Sequence, residues 1–431
     1  MAIALPLQLP YPPGAGRRAA DEANNCEEAS MSENAAREAL EKALAERDGI
    51  LRLEPAWVAR DFVPPGRRLG LPHDAYDKGE RGFICERWLA STTKADNRVG
   101  PPDEGLSYIT LESGSRLSLL EAVQADPAAV MGAEYAASHA GLGRLAKIFD
   151  YSARLPLHLH LRQEHAALVG RRSKDEAYYF PGGIDMGAHP ETFFGVHPWI
   201  SQTGQHEVLL PYLQAWDSDE ILRHTRGYQQ VAGEGFHVPS GVLHAPGTAV
   251  TIELQEDSDV LAMLQALNAG RVISKELLWK DVRIEDRERY GERFILELID
   301  WDQNGDPYFY ENHHMPARLI EASQQAGGTE KWIFYNTPKF SGKKLVVRAG
   351  QTYRSQERGV YSIFALEGAG LYGEVEVRAG VPGLDELLVT HGRATRDLTV
   401  RNTGDRDLVV VKFFGPDICT DVPYIPPYPG S

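Results

Sequence analysis

The chain has 431 residues, 42% of them hydrophobic, with a formal net charge of −16 and a pI near 5.4. That length is enough for two or three modules with buried cores, and the acidic balance argues against nucleic acid or an anionic membrane as the main partner while allowing an anionic small molecule beside a local basic cluster. The only cysteines are Cys26, Cys85 and Cys419; their spacing suits neither a zinc ribbon nor a disulfide framework, points to a reducing cytoplasm, and leaves any metal to nitrogen and oxygen ligands.

Residues 1–32 mix Pro, Gly, Ala and Asn without period and read as a loose tail with no apolar run of signal-peptide type; Met31 is an alternative start. Ala36, Leu40, Ala43 and Leu44 recur at helical spacing before Gly49, predicting one amphipathic helix over 34–47. From Leu51 to Ile109 the chain is broken by Pro64-Pro65 and Pro101-Pro102 and reads as irregular strands and loops, including the run Phe83–Leu89. Asp126 and Pro127 read as an N-cap and first helical residue, with helical structure from there towards Phe149. Leu155–Phe180 reads as two strands joined by a polar loop. His158 and His160 stand two apart and so face one side of an extended backbone, as do Lys174 and Glu176. Past the Pro181-Gly182-Gly183 turn, Glu191–Gly195 is a candidate strand, 205–225 reads as helical, Ala249–Gln255 has period two, and Asn268–Asp300 is charged and helix-prone. Beyond Trp332, short strands with glycine turns run to Phe414, before an extended proline-rich tail. Two all-β modules with helical insertions fit this order better than alternating βαβ units.

Gly233, Pro239, Gly241 and His244 have the spacing G-x5-P-x-G-x2-H, the second signature of cupin barrels, with Thr248 in place of the usual final Asn. Proline and glycine make a tight turn at a strand end, and the histidine on the returning strand points into the barrel mouth. His158, His160 and Glu164 satisfy the first signature, H-x-H-x3,4-E, earlier in the chain. A lone histidine on an apolar strand is usually a hydrogen-bonded core residue; two signatures in the right order outweigh that reading. Either Glu164 or Glu176 can supply the carboxylate. The fold class expected is mainly β: a bicupin of two β-barrel or jelly-roll cupin modules with helical insertions. Its parts are a tail and helix over 1–50, a metal-binding module over 51–263, a helical connector over 264–298, and a C-terminal module over 299–431 that lacks an H-x-H pair and is expected to be metal-free.

From about residue 80 onwards the order of segments resembles type I mannose-6-phosphate isomerases, zinc enzymes built from two cupin modules. Glu86-Arg-Trp-Leu-Ala-Ser91 is similar to that family's Glu-Trp-x-x-Ser run, and Leu155-Pro-Leu-His-Leu-His160 to its strand carrying Gln-x-His-Pro. Lys174-Asp-Glu176 resembles its Lys-x-Glu metal strand, and Ile252-Glu-Leu-Gln255-Glu-Asp-Ser258-Asp259 its Glu-Ile-Gln-x-x-Ser-Asp run. The resemblance implies a first shell of His158, His160, Glu176 and His244, with Glu164 left outside it. It also implies one divalent metal, Zn first and Mn, Fe, Co or Ni as alternatives, with Lys174 as a catalytic group and Glu253 and Gln255 as substrate contacts; Arg171 and Arg172, close to Lys174 in sequence, are candidate substrate contacts as a basic group for phosphate. Three departures stand out. The family's His-Pro-Asp is His160-Leu-Arg; its Thr-Tyr-Arg after Ser-Asp is replaced by Val260-Leu-Ala-Met263, removing an arginine; and an insertion of roughly Leu264 to Arg293 follows, in which Arg271 or Arg293 could restore the charge.

Asp300, Asp302, Asn304, Gly305 and Glu311 match an EF-hand spacing. Pro307 at the eighth position, the lack of a second loop, and a likeness to the family's connector between modules all argue against calcium. His189, His197, His206 and His313-His314 read as loop or surface residues, and Glu367-Gly-Ala-Gly370 as a strand turn. The expected function is a metal-dependent aldose-ketose isomerase acting on a hexose or hexose phosphate in the cytoplasm. The alternatives are a non-catalytic sugar-binding or regulatory bicupin, and an Fe-dependent cupin oxygenase.

Overall fold

The computed structural model describes residues 32–111, 114–183 and 185–428, so the tail read over 1–32, with Met31 and Cys26, lies outside the described residues except for Ser32. Five of the seven strands of one sheet carry the centre of the first module: Glu234–Val238, Glu176–Tyr179, Thr251–Gln255, Leu145–Phe149 and Phe83–Leu89 lie side by side, all antiparallel. A five-stranded sheet faces it, in the order Thr225–Gln229, Glu191–Val196, His244–Ala245, His158–Leu159, Ala262–Met263. Aromatic residues of both sheets, Phe149, Tyr178 and Phe180 from one and Phe194 from the other, share one buried cluster between them.

Strand alternation explains the layering. Along Glu176–Tyr179, Glu176 and Tyr178 turn towards the second sheet, while Ala177 and Tyr179 turn away into a cluster with Ile333, Phe334, Val411 and Phe413 of the C-terminal module. Ile252 and Leu254, and Ala146 and Ile148, follow the same rule. The large sheet is therefore buried on both faces: one carries polar groups into the interior of the module, the other is apolar and glues the two modules together. Four antiparallel sheets of this kind, two per module, with helices inserted between strands, make a mainly β fold.

The helix predicted over 34–47 runs Glu33–Glu46, capped by Ser32. It packs through Ala36, Leu40 and Ala43 into the core of the C-terminal module, and Ile50–Arg52 pairs with Glu386–Val389 as an edge strand of that module's sheet. The N-terminal segment thus closes the far end of the chain instead of preceding the first module. Asp126 caps a helix at Pro127 as expected, but the helical reading does not extend to Phe149: Leu145–Phe149 is a central strand, because its alternate residues serve two different faces. The helix read over 205–225 is three short pieces, broken where Trp216 turns left-handed with φ 52°.

Polar contacts cross between the modules as well. Arg87 donates to Asp385 at 2.7 Å and to Glu386 at 3.0 Å, all three being buried. Removing one partner of such a triad leaves the others desolvated and uncompensated. Arg87→Met is expected to cost about 3–5 kcal/mol in denaturant unfolding; a loss below about 1 kcal/mol would mean that the triad contributes nothing net.

Candidate metal centre

His158 and His244 are direct cross-strand partners, and His160 follows immediately after the two-residue strand His158–Leu159, so three imidazoles meet at the inner face of the smaller sheet. Ring centroids are 4.1 Å apart for His158 and His244, 5.2 Å for His158 and His160, and 5.0 Å for His160 and His244. One nitrogen from each lies within 4.8 Å of the others. Each ring spends its Nδ1 proton on a backbone carbonyl: His158 on Pro156 at 2.7 Å, His160 on Val260 at 2.7 Å and His244 on Val242 at 2.8 Å. This arrangement fixes the tautomer and leaves three Nε2 lone pairs free to converge. Burial, followed by the neighbouring imidazoles, holds His158 well below its usual range, and burial, followed by the Lys174 ammonium, lowers His160 to about 3. Both are neutral at ordinary pH, as metal ligation requires.

Glu176 reaches the cluster from the opposite sheet. Its Oε2 is 2.9 Å from His160 Nε2 and its Oε1 3.1 Å from His244 Nε2, while His244 Nε2 has no hydrogen-bond partner. Neutral nitrogens and a carboxylate at those distances are acceptor against acceptor, an arrangement that needs a cation between them. Lys174 supplies part of the positive charge, with Nζ 3.0 Å from both Glu176 Oε2 and His160 Nε2. Although burial pushes Glu176 upward, the Lys174 ammonium holds it well below the carboxylate range. The donors brought together are three imidazole nitrogens and, beside them, one carboxylate, a set that would suit Zn²⁺ and also Mn, Fe, Co or Ni. Glu164, the other carboxylate open on spacing, is on the surface and pairs with Arg162 at 3.1 Å.

The turn that presents His244 has its own support. Gly241 has φ +84°, and a Cβ there would lie 2.9 Å from Arg162 Cγ and 3.0 Å from Asp300 Cβ. Fully buried Asn304 accepts from Leu243 N at 2.8 Å and donates to Gly241 O at 2.8 Å. The EF-hand-like spacing is thus used for helix capping, by Asp300, and for bracing the histidine turn.

An inner chamber of about 40 Å³ lies over the cluster, with Lys147, Lys174, Glu176 and Glu253 among its walls. Lys147 Nζ is 3.1 Å and Lys174 Nζ 3.4 Å from Glu253 Oε1. Burial and the charge of Glu176 outweigh the two lysines and raise Glu253 to about 7. Arg60 and Glu86 form a buried pair in the same wall, joined by Tyr151, whose hydroxyl donates to Glu86 at 2.7 Å. Burial pushes Glu86 up, but Arg60 and then Lys147 bring it down to about 2.

Other expected contacts fall elsewhere. Gln255 is fully buried but spends its amide on the carbonyls of Glu256 and Ser258, and Arg172 is exposed and pairs with Asp257; neither lines the chamber. Arg171 pairs with Asp96 at 2.6 Å and lines the outer vestibule. Arg271 is exposed on a hairpin and Arg293 pairs with Glu207 on the surface, so neither replaces the missing arginine; the segment in place of its motif lines the chamber with apolar Leu261 and Met263. Arg60, Lys147, Tyr151 and Tyr178 had no role on sequence grounds, and Asn304 had one only in the EF-hand-like spacing. Lys147 and Tyr178 follow from the period-two rule once their strands are known; Tyr178 donates a hydrogen bond to Glu176 from two residues along.

Two sheets with a histidine cluster between them give a cupin-type fold with a candidate metal centre. No family model matches the chain, and no curated protein matches it by sequence. Its fold is that of mannose-6-phosphate isomerases. It is 16% identical to the mannose 6-phosphate isomerase from Bacillus subtilis, covering 85% of this chain and 99% of that one with a TM-score of 0.58. It is 11% identical to a mutant of phosphomannose isomerase from Salmonella typhimurium, covering 85% and 100% at 0.55. A zinc-bound mannose 6-phosphate isomerase is 10% identical over 85% and 100%, also at 0.55.

His244→Ala is expected to abolish stoichiometric metal retention, measured by elemental analysis after dialysis, with circular dichroism unchanged. Undiminished metal in a folded variant would remove His244 from the ligand set. Tyr178→Phe should weaken metal affinity by about tenfold, as loss of an outer-shell hydrogen bond does; competition with a chromogenic chelator reads it.

Proposed function

We propose that this chain is a metal-dependent aldose-ketose isomerase acting on a sugar. The observation that carries the proposal is the pairing of a histidine-carboxylate cluster with a buried acid, Glu253, held between two lysines in the wall of the same chamber. The likeness in fold to mannose-6-phosphate isomerases supports the same reading. His158, His160, His244 and Glu176 would hold the metal, which when bound polarises the carbonyl and hydroxyl oxygens of a substrate.

The chain's own groups supply the proton chemistry. Isomerisation moves a proton between adjacent carbons, and a base for that task works best with a pKa near the operating pH. Glu253, raised to about 7, fits, and is assigned as that base. Lys147 and Lys174 hold its carboxylate in place and offer ammonium protons where negative charge develops on substrate oxygen. Phe62, Phe149 and Leu155 wall the chamber with apolar surface and limit water at the reacting carbons. One observation favours a binding module without turnover: the segment Val260–Met263, where the family resemblance implies an arginine, lines the chamber only with Leu261 and Met263.

Metal analysis together with a coupled assay over mannose, fructose, lyxose and their phosphates tests the proposal. Stoichiometric metal with interconversion of at least one pair is expected; metal-loaded protein that converts none contradicts it. Glu253→Gln should lower kcat by about 10²-fold or more, on the order expected for a general base. In the unmutated protein, activity should rise with pH through an acidic limb at or below about 7, the deprotonated carboxylate being the active form. A variant that keeps both rate and limb would rule out Glu253 as the base.

A further inference from the structure

The inner chamber shares Arg60, Phe62 and Leu261 with an outer vestibule of about 600 Å³. Part of that vestibule comes from the insertion, through Ser274, Glu276, Leu277, Trp279 and Lys280. Its cations, Arg60, Arg81, Arg98, Arg171 and Lys280, invite a phosphate on first inspection. Their partners say otherwise. Arg60 is held by Glu86 and Asp259, both buried; Arg81 by Glu104 at 2.7 Å; and Arg171 by Asp96 at 2.6 Å. Lys280 lies 3.4 Å from the same Asp96 and donates to Asp259 O at 3.0 Å. Further in, Lys147 pairs with Glu253 and Lys174 with Glu176. Only Arg98, exposed at the rim, has no carboxylate partner among the described residues, and Asp61 and Glu80 line the vestibule with it.

We infer that this site takes a neutral sugar and discriminates against its phosphate ester. The inference rests, for the word sugar, on the isomerase reading above. A bound phosphate dianion needs two or more charge-assisted hydrogen bonds to replace its water. Here it would have to take Arg60 or Arg81 from carboxylates that are themselves buried, leaving those carboxylates uncompensated, or compete with the half-exposed Asp96 for Arg171 and Lys280 together. The insertion contributes one cation, Lys280, and that cation is already committed to Asp96 and to a backbone carbonyl. Between mouth and floor, Phe62, Leu261 and Met263 present apolar surface suited to the C–H face of a sugar ring. The net charge of −16 adds a long-range field that disfavours the approach of a dianion.

The test uses the metal-loaded full chain and compares mannose, fructose and lyxose with their terminal phosphates, by titration calorimetry and by turnover. Free sugars should bind and be converted with kcat/KM at least about tenfold above the esters, and inorganic phosphate should not compete. Asp96→Asn, which releases Arg171 and Lys280, should lower the KM of the ester relative to that of the free sugar. Tighter binding or faster conversion of the ester, competition by inorganic phosphate, or binding of neither class would overturn the inference. Preferential binding of the free sugar without conversion of either class would leave it standing and remove the isomerase reading alone.

Discussion

Everything around the candidate centre depends on three backbone carbonyls. Those of Pro156, Val242 and Val260 take the Nδ1 protons of His158, His244 and His160, so the opposite nitrogens cannot be donors, and those of His160 and His244 are turned onto a buried carboxylate. Acceptors facing acceptors in a low-dielectric interior is an arrangement that a protein keeps only if something positive sits among them. The Lys174 ammonium supplies some of that charge, and a divalent metal would supply the rest. The metal reading therefore stands on hydrogen-bond direction as well as on proximity.

The fold supplies this geometry by dividing labour between the two faces of one sheet. Glu176, Tyr178, Lys147 and Glu253 all sit on strands whose alternate residues are apolar and buried against the C-terminal module. That module thus presses on the back of the strands that carry the charged groups. Lys339 reinforces the contact, pairing at 2.9 Å with Asp175 and with Glu256. Asp175 lies between Lys174 and Glu176 in sequence, so the second module restrains the metal strand directly.

The cluster was legible in the sequence because each of its parts is a local rule. His158 and His160 needed only strand alternation, and His244 needed a turn whose glycine and proline are written out. The carboxylate was ambiguous on spacing alone, since Glu164 and Glu176 both fit; a charged loop and a strand differ in exposure, which spacing does not encode. Lys147 was hidden because its segment read as the end of a helix, and Arg60 because nothing local marks a residue whose partners, Glu86 and Asp259, are distant in the chain. Gln255 failed for the opposite reason: its motif was visible, but its amide is used to fasten the next turn. The same limit applies to Ile50–Arg52, which completes a sheet whose other strands all lie far later in the chain, beyond Pro316.

The rewritten arginine and the paired cations of the vestibule make the outer site differ from the inner one. The inner site brings together His158, His160, His244 and Glu176 with Lys174, the one lysine that the resemblance implies, whereas the outer site is balanced charge by charge. Such a division allows one fold to retain its chemistry while its choice of substrate changes. The most direct test of the central claim is X-ray absorption at the edge of the metal bound by the purified chain. The account predicts multiple scattering from three imidazoles and one carboxylate oxygen, with nitrogen at about 2.0–2.1 Å if the metal is zinc. A shell of oxygen alone, or one containing sulfur, would contradict it.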